Sequence, residues 1–71
     1  MKRFPINTDN IQEVGYDEVT QILEIEFNLN AVHHYYNVPI DEYVSLMKAQ
    51  DIEDFYFSNV RNNYNFDAVD G

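Results

Sequence analysis

The stretch "ILEIEFN", residues 22–28, limits the fold more than any other part of the chain. Leu23, Ile25 and Phe27 alternate with Glu24 and Glu26, the period-two pattern of a strand with one apolar and one wet face. A strand of this kind needs flanking strands and a layer over its apolar side. Ile11, Val14 and Tyr16 mark a preceding strand, irregular because Ile11 is out of phase with the other two. The polar residues 17–21 join the pair. Asn28 and Asn30 tolerate left-handed backbone, so "NLN" reads as a short hairpin connection into a third strand over residues 31–38.

Pro39 ends that strand and pre-sets the backbone for a helix, where its missing N–H is not needed. Ile40, Tyr43, Val44 and Met47 follow at the i, i+3, i+4, i+7 spacing of a buried stripe. Asp41 and Glu42 in the first turn and Lys48 in the last have the signs that suit the helix dipole. Asp51 is placed to cap a second helix, with Asp54 three residues on. Ile52, Phe55, Tyr56 and Val60 give this helix its apolar side, and Asn62 and Asn63 can terminate it. The expected architecture is α+β: a three-stranded antiparallel meander followed by two helices packed on one face. It is expected to form a single domain over residues 1–71, with short flexible ends at about 1–8 and 67–71.

At 71 residues the core is thin, since a chain of this size buries only about 60% of its unfolded surface. With 11 aromatic side chains and no cysteine, large rings rather than disulfides have to supply the stability. Four Lys/Arg against 13 Asp/Glu give a net charge of −9, which repels phosphate backbones and favours basic surfaces. The N-terminal "MKRFPINTDN" has a basic start with no apolar run behind it, and no segment approaches the ~20 apolar residues of a membrane span. The expectation is a soluble, cytoplasmic protein without membrane contact.

His33 and His34 are adjacent, so on a strand their rings point to opposite faces and cannot share an ion. A structural zinc site needs four ligands, and no metal or other cofactor is expected. Either Val32, His34, Tyr36 and Val38 or Ala31, His33, Tyr35 and Asn37 face inward, and hydrophobicity favours the first set. The carboxylate groups Glu24/Glu26, Asp51/Glu53/Asp54 and Asp67/Asp70 lie on a wet strand face, in a helix's first turn or near the chain end. They lack the cleft that acid–base chemistry requires. Ser45 and Ser58 fit no nucleophile elbow, and with Gly15 and Gly71 as the only glycines there is no phosphate loop, so no enzymatic activity is expected. Phe57 turns away from the stripe of Phe55 and Tyr56 and is a candidate exposed contact. Tyrosines with only Lys2, Arg3, Lys48 and Arg61 as cations suit protein contact better than nucleic acid.

Several short motifs share one register with a known family: Pro5, "NI" at 10–11, "GYD" at 15–17, "LEIEF" at 23–27, "AVHHYYNVP" at 31–39, Tyr43, "LM" at 46–47, "FY" at 55–56 and "NVRNNY" at 59–64. On these the chain resembles the KTSC domain, a small module found alone in bacterial and phage proteins and at the C-terminus of some lysyl-tRNA synthetases. The resemblance implies a structural signature at His33, Tyr35, Pro39, Tyr43 and Arg61, with the His33/Tyr35 side of the third strand inward. It also implies RNA or tRNA binding, as proposed for the family. This chain departs from the pattern at three places. His33 replaces a signature tyrosine, "QDIED" replaces a Ser/Gly-rich turn, and "NNYNF" stands where relatives are often basic. The last two remove features that would help to hold RNA.

The functional expectation is a small acidic, non-catalytic module engaging a basic partner protein, with imitation of nucleic-acid charge by a phage-encoded inhibitor as one form of it. RNA or tRNA binding is the alternative. Expected contact residues are Glu24, Glu26 and Tyr36 on the strands, Asp51, Glu53 and Asp54 at the second helix, and the rings of Phe57 and Tyr64. The oligomeric state is not legible.

Overall fold

The computed structural model describes residues 2–69. Five strands form one antiparallel sheet in chain order: β1 (Arg3–Pro5), β2 (Ile11–Asp17), β3 (Ile22–Phe27), β4 (Val32–Tyr35) and β5 (Phe66–Val69). Between β4 and β5 come α1 (Ile40–Lys48), α2 (Ile52–Phe55) and a π-helical turn, Tyr56–Val60, that continues α2. The α+β class and the central meander are as expected, but the sheet has five strands rather than three. Both extra strands lie in segments expected to be flexible ends. β1 is three residues long and includes a proline, and β5 has three exposed residues out of four, so neither carries a readable alternation.

In the observed registers Leu23 lies opposite Tyr16 and Tyr35, and Ile25 opposite Val14 and His33, which puts these six residues on one side of the sheet. Ile11, Val14, Leu23, Ile25, Tyr35 and Val38 from the sheet side pack with Leu46, Tyr56 and Val60 from the helices. The irregularity expected in the first strand is a register shift between Ile11 and Glu13, which brings Ile11 back into phase. In β4 the inward set is mixed. His33 and Tyr35 face the helices, while the positive φ of Asn37, 58°, breaks the alternation and returns Val38 to the core. Asparagine tolerates this left-handed conformation, which most residues avoid.

α1 buries a different stripe from the one expected. Leu46 is fully buried and Tyr43 and Met47 pack on the core, whereas Ile40 and Val44 are 41% and 38% exposed. Both sets have helical spacing, and the observed rotation lets Tyr43 stack on Tyr16 with centroids 4.7 Å apart. Pro39 caps the helix through its carbonyl, which accepts from the N–H groups of Glu42 and Tyr43. Asp51 caps α2 as expected, its carboxylate accepting from the Asp54 N–H at 3.0 Å. In the core, the hydroxyls of Tyr35 and Tyr56 hydrogen-bond each other, which satisfies two buried polar groups at once.

Two substitutions test the orientation of α1. Leu46→Ala should lower the unfolding free energy by about 2–5 kcal/mol through cavity formation. Val44→Ala should stay within about 0.5 kcal/mol. Urea titrations giving the reverse order would contradict the observed packing.

Candidate functional site

The helices cover one side of the sheet, and the opposite side presents the alternate residues of each strand. Pairing aligns Arg3, Gly15, Glu24, His34 and Asp67 in one row across all five strands. A second row aligns Pro5, Glu13, Glu26, Val32 and Val69. This face therefore gathers Glu13, Glu24 and Glu26 around the guanidinium of Arg3, with Asp67 at its far edge.

Glu24 lies at the centre and is the one buried charged residue among those described. Arg3 Nε–H donates to its Oε1, and His34 Nε2–H donates to its Oε2 at 2.5 Å. Burial by itself pushes the Glu24 carboxyl up, but the hydrogen bonds and charges of Arg3 and His34 outweigh it and hold the group below its ordinary value. To reach Glu24 from β1, Arg3 has to pass over β2, and the residue between them in the register is the buried Gly15. A side chain there would fill the path of the guanidinium, so glycine permits the close approach. Arg3 also pairs with Glu26 at 3.1 Å and, more loosely, with Glu13 at 3.8 Å. At the far edge Tyr36 donates to Asp67 at 3.0 Å.

The expected contact residues do not form one surface. Glu24, Glu26 and Tyr36 share the uncovered face. Asp51, Glu53 and Asp54 cluster at the start of α2, and two of these three are engaged locally. Asp51 caps the helix, and Glu53 accepts from Thr8 Oγ1 at 2.7 Å and from the Asn10 backbone and side-chain N–H groups at 2.9 and 2.8 Å. These bonds tie the β1–β2 connection to α2 and hold the Glu53 carboxyl below its ordinary value. Tyr64 donates to Glu42 at 2.9 Å beside α1. Phe57 is 39% exposed, with the Arg61 guanidinium 5.6 Å from its ring centre.

Sequence reasoning missed Arg3, Glu13, His34 and Asp67 as members of the uncovered face. Period two in β3 identifies that face, but finding its other members requires the pairing registers. The signature position His33 is on the helix side, stacked on Phe66 at 4.8 Å and edge-on to Phe27 at 4.9 Å. Burial holds its pKa down, so the ring acts as a neutral aromatic packing group. An open depression of about 590 Å³ lies elsewhere, lined by Ile6, Thr8, Ala49, Gln50, Asp51 and Ile52. Its one carboxylate is the Asp51 helix cap. Among the described residues no group of three or more His, Asp or Glu is disposed to hold a metal ion, and no helix is long and apolar enough to cross a membrane.

The clamp on Glu24 gives a pH-dependent prediction. A carboxyl depressed in the folded state adds stability that is complete above its unfolded value of about 4.3 and is lost as pH falls through the folded value. Arg3→Ala should therefore cost about 1–3 kcal/mol at pH 7. The gap between wild type and variant should shrink below about pH 4. Urea titrations across pH check this, and a gap independent of pH would contradict it.

The model of the KTSC domain matches residues 7–64. An uncharacterized protein of Stutzerimonas stutzeri is 35% identical over 52 residues, which cover 73% of this chain and 73% of that protein. The crystal structure of a KTSC domain protein from Yersinia pestis is similar in fold, with a TM-score of 0.91 over 96% of each chain at 24% identity. With the family model spanning β2 to the end of the helical region, the chain belongs to the KTSC domain family.

Proposed function

We propose that this protein is a non-catalytic binding module whose uncovered sheet face engages a basic surface on a partner protein. The observation that carries this reading is the placement of Glu13, Glu24, Glu26 and Asp67 on one face with Arg3 as its single Lys/Arg side chain, within a chain of net charge −9. Charge complementarity between such a face and a basic surface speeds encounter and selects the partner's sign. Nucleic acid meets the opposite condition, because phosphate contacts need several cations on one face. A partner whose basic surface otherwise holds nucleic acid would make the module its competitive inhibitor.

Fluorescence anisotropy with a labelled octalysine peptide and a labelled single-stranded RNA tests the reading. The peptide should bind, with affinity falling as salt rises. Glu13→Lys combined with Glu26→Lys should weaken binding about tenfold, a change of about 1.4 kcal/mol. Asp41→Lys combined with Asp54→Lys changes the net charge equally on the helical side and should have a smaller effect. RNA retained at low salt more tightly than the peptide would overturn the reading and favour the RNA or tRNA alternative.

A further inference from the structure

The two edges of the sheet are built differently. β1 is three residues long, ends in Pro5, is preceded by Lys2, and turns Arg3 onto the sheet. Proline, lysine and inward-pointing charges are the devices by which proteins protect a sheet edge from pairing. β5, four residues long, has neither proline nor lysine in "FDAV", and its one charge is Asp67.

Hydrogen-bond phase identifies which β5 groups are free. The Tyr36 N–H donates to the Asn65 carbonyl at 2.9 Å, and Tyr35 lies opposite Phe66. Antiparallel ladders alternate between bonded and non-bonded pairs. Asn65, Asp67 and Val69 therefore bond back to β4, and the N–H and C=O groups of Phe66 and Ala68 point away from it. All three residues from Phe66 to Ala68 are exposed, Phe66 at 47%.

The two sides of this edge differ in chemistry. On the helix side Phe66 stacks against His33 and Tyr35, forming an aromatic ledge. On the uncovered side Asp67 continues the row of His34 and Glu24. A strand added to β5 would place its residue opposite Asp67 on the acidic side and the residues flanking it beside Phe66 and Ala68.

We propose that the β5 edge accepts an extended segment of the partner by strand addition, and that this segment alternates basic with apolar residues. This deepens the reading of the uncovered face as a dock for a basic partner, and rests on it. Strand addition joins main-chain hydrogen bonding to alternate side-chain recognition, and here the basic set meets the acidic face while the apolar set meets the ledge. A second copy of this chain is disfavoured as the occupant, because each copy carries −9.

The test compares two acetylated, amidated heptapeptides of equal charge, one alternating (KVKVKVK) and one blocked (KKKKVVV), against the 15N-labelled protein. The alternating peptide should bind about tenfold more tightly than the blocked one. It should also slow exchange of the Phe66 and Ala68 amides about tenfold. Ala68→Pro removes an outward N–H without breaking a bond to β4, so it should abolish the preference while leaving the melting temperature and the blocked peptide's affinity near wild type. Should that variant unfold, an alternating peptide with N-methylated valines, which cannot pair, replaces it as the control and should bind wild type no better than the blocked peptide. Equal affinities for the two original peptides would overturn strand addition while sparing the acidic-face reading. Failure of both to bind would overturn that reading as well. Protection at Arg3, whose N–H points out from the β1 edge, instead of Phe66, or self-association that protects the β5 amides without peptide, would overturn the proposal.

Discussion

The ionised carboxylate of Glu24, buried in the middle of the sheet face opposite the helices, is the constraint around which this small domain is arranged. Burial of an unpaired carboxylate is strongly unfavourable. Here Arg3 from the first strand supplies opposite charge and a hydrogen bond, and His34 from the fourth supplies a second hydrogen bond. The contacts reach across β2 because Gly15 leaves the path clear, so three sequence-distant positions and one glycine form a single unit. That unit anchors the short β1 strand, whose own backbone pairing covers only three residues. It also sets the electrostatics of the face, since Arg3 is shared among Glu24, Glu26 and Glu13 and leaves a negative excess.

The opposite side of β3 carries the other half of the design. Leu23 and Ile25 join a core in which rings do much of the filling: Tyr16 on Tyr43, and Tyr35 against Tyr56 and Phe66. The paired hydroxyls of Tyr35 and Tyr56 let these large side chains be buried without orphaned polar atoms. Burial and the bond to Tyr56 both raise the Tyr35 pKa, so its hydroxyl stays protonated and the pair persists across the physiological pH range.

How much was legible in the sequence differs from element to element for physical reasons. Strong period-two signal in residues 22–27, the cap at Asp51 and the out-of-phase Ile11 all report local chemistry, and each appears in the structure where expected. The two edge strands leave little trace because an edge needs no apolar face, and they also lie outside the span matched by the family model. The rotation of α1 was ambiguous because residues 40, 43, 44 and 47 and residues 43, 46 and 47 both satisfy helical spacing. Stacking of Tyr43 on Tyr16 decides between them. For β4 the two candidate faces both assumed unbroken alternation, which the left-handed Asn37 interrupts. The acidic face itself was half legible: Glu24, Glu26 and Tyr36 were identified, while Arg3, Glu13, His34 and Asp67 join them only through registers that a single strand's pattern does not contain. Asp70, grouped with Asp67 in the sequence, lies outside the described residues.

The functional account reduces to where the negative charge meets its partner. Acidic side chains occur on both sides of the molecule: those on the helical side include a helix cap and a loop anchor, and on the other side Asp67 is exposed while Glu13 and Glu26, both paired with Arg3, are partly exposed. Carbodiimide coupling joins a carboxylate directly to a lysine amine in contact with it, so it reads the contact surface without a spacer. Applied to the complex with the partner recovered from cell extract, it should place the cross-links at Glu13, Glu26 and Asp67. Cross-links confined to Asp41, Asp51 and Asp54 would contradict the account.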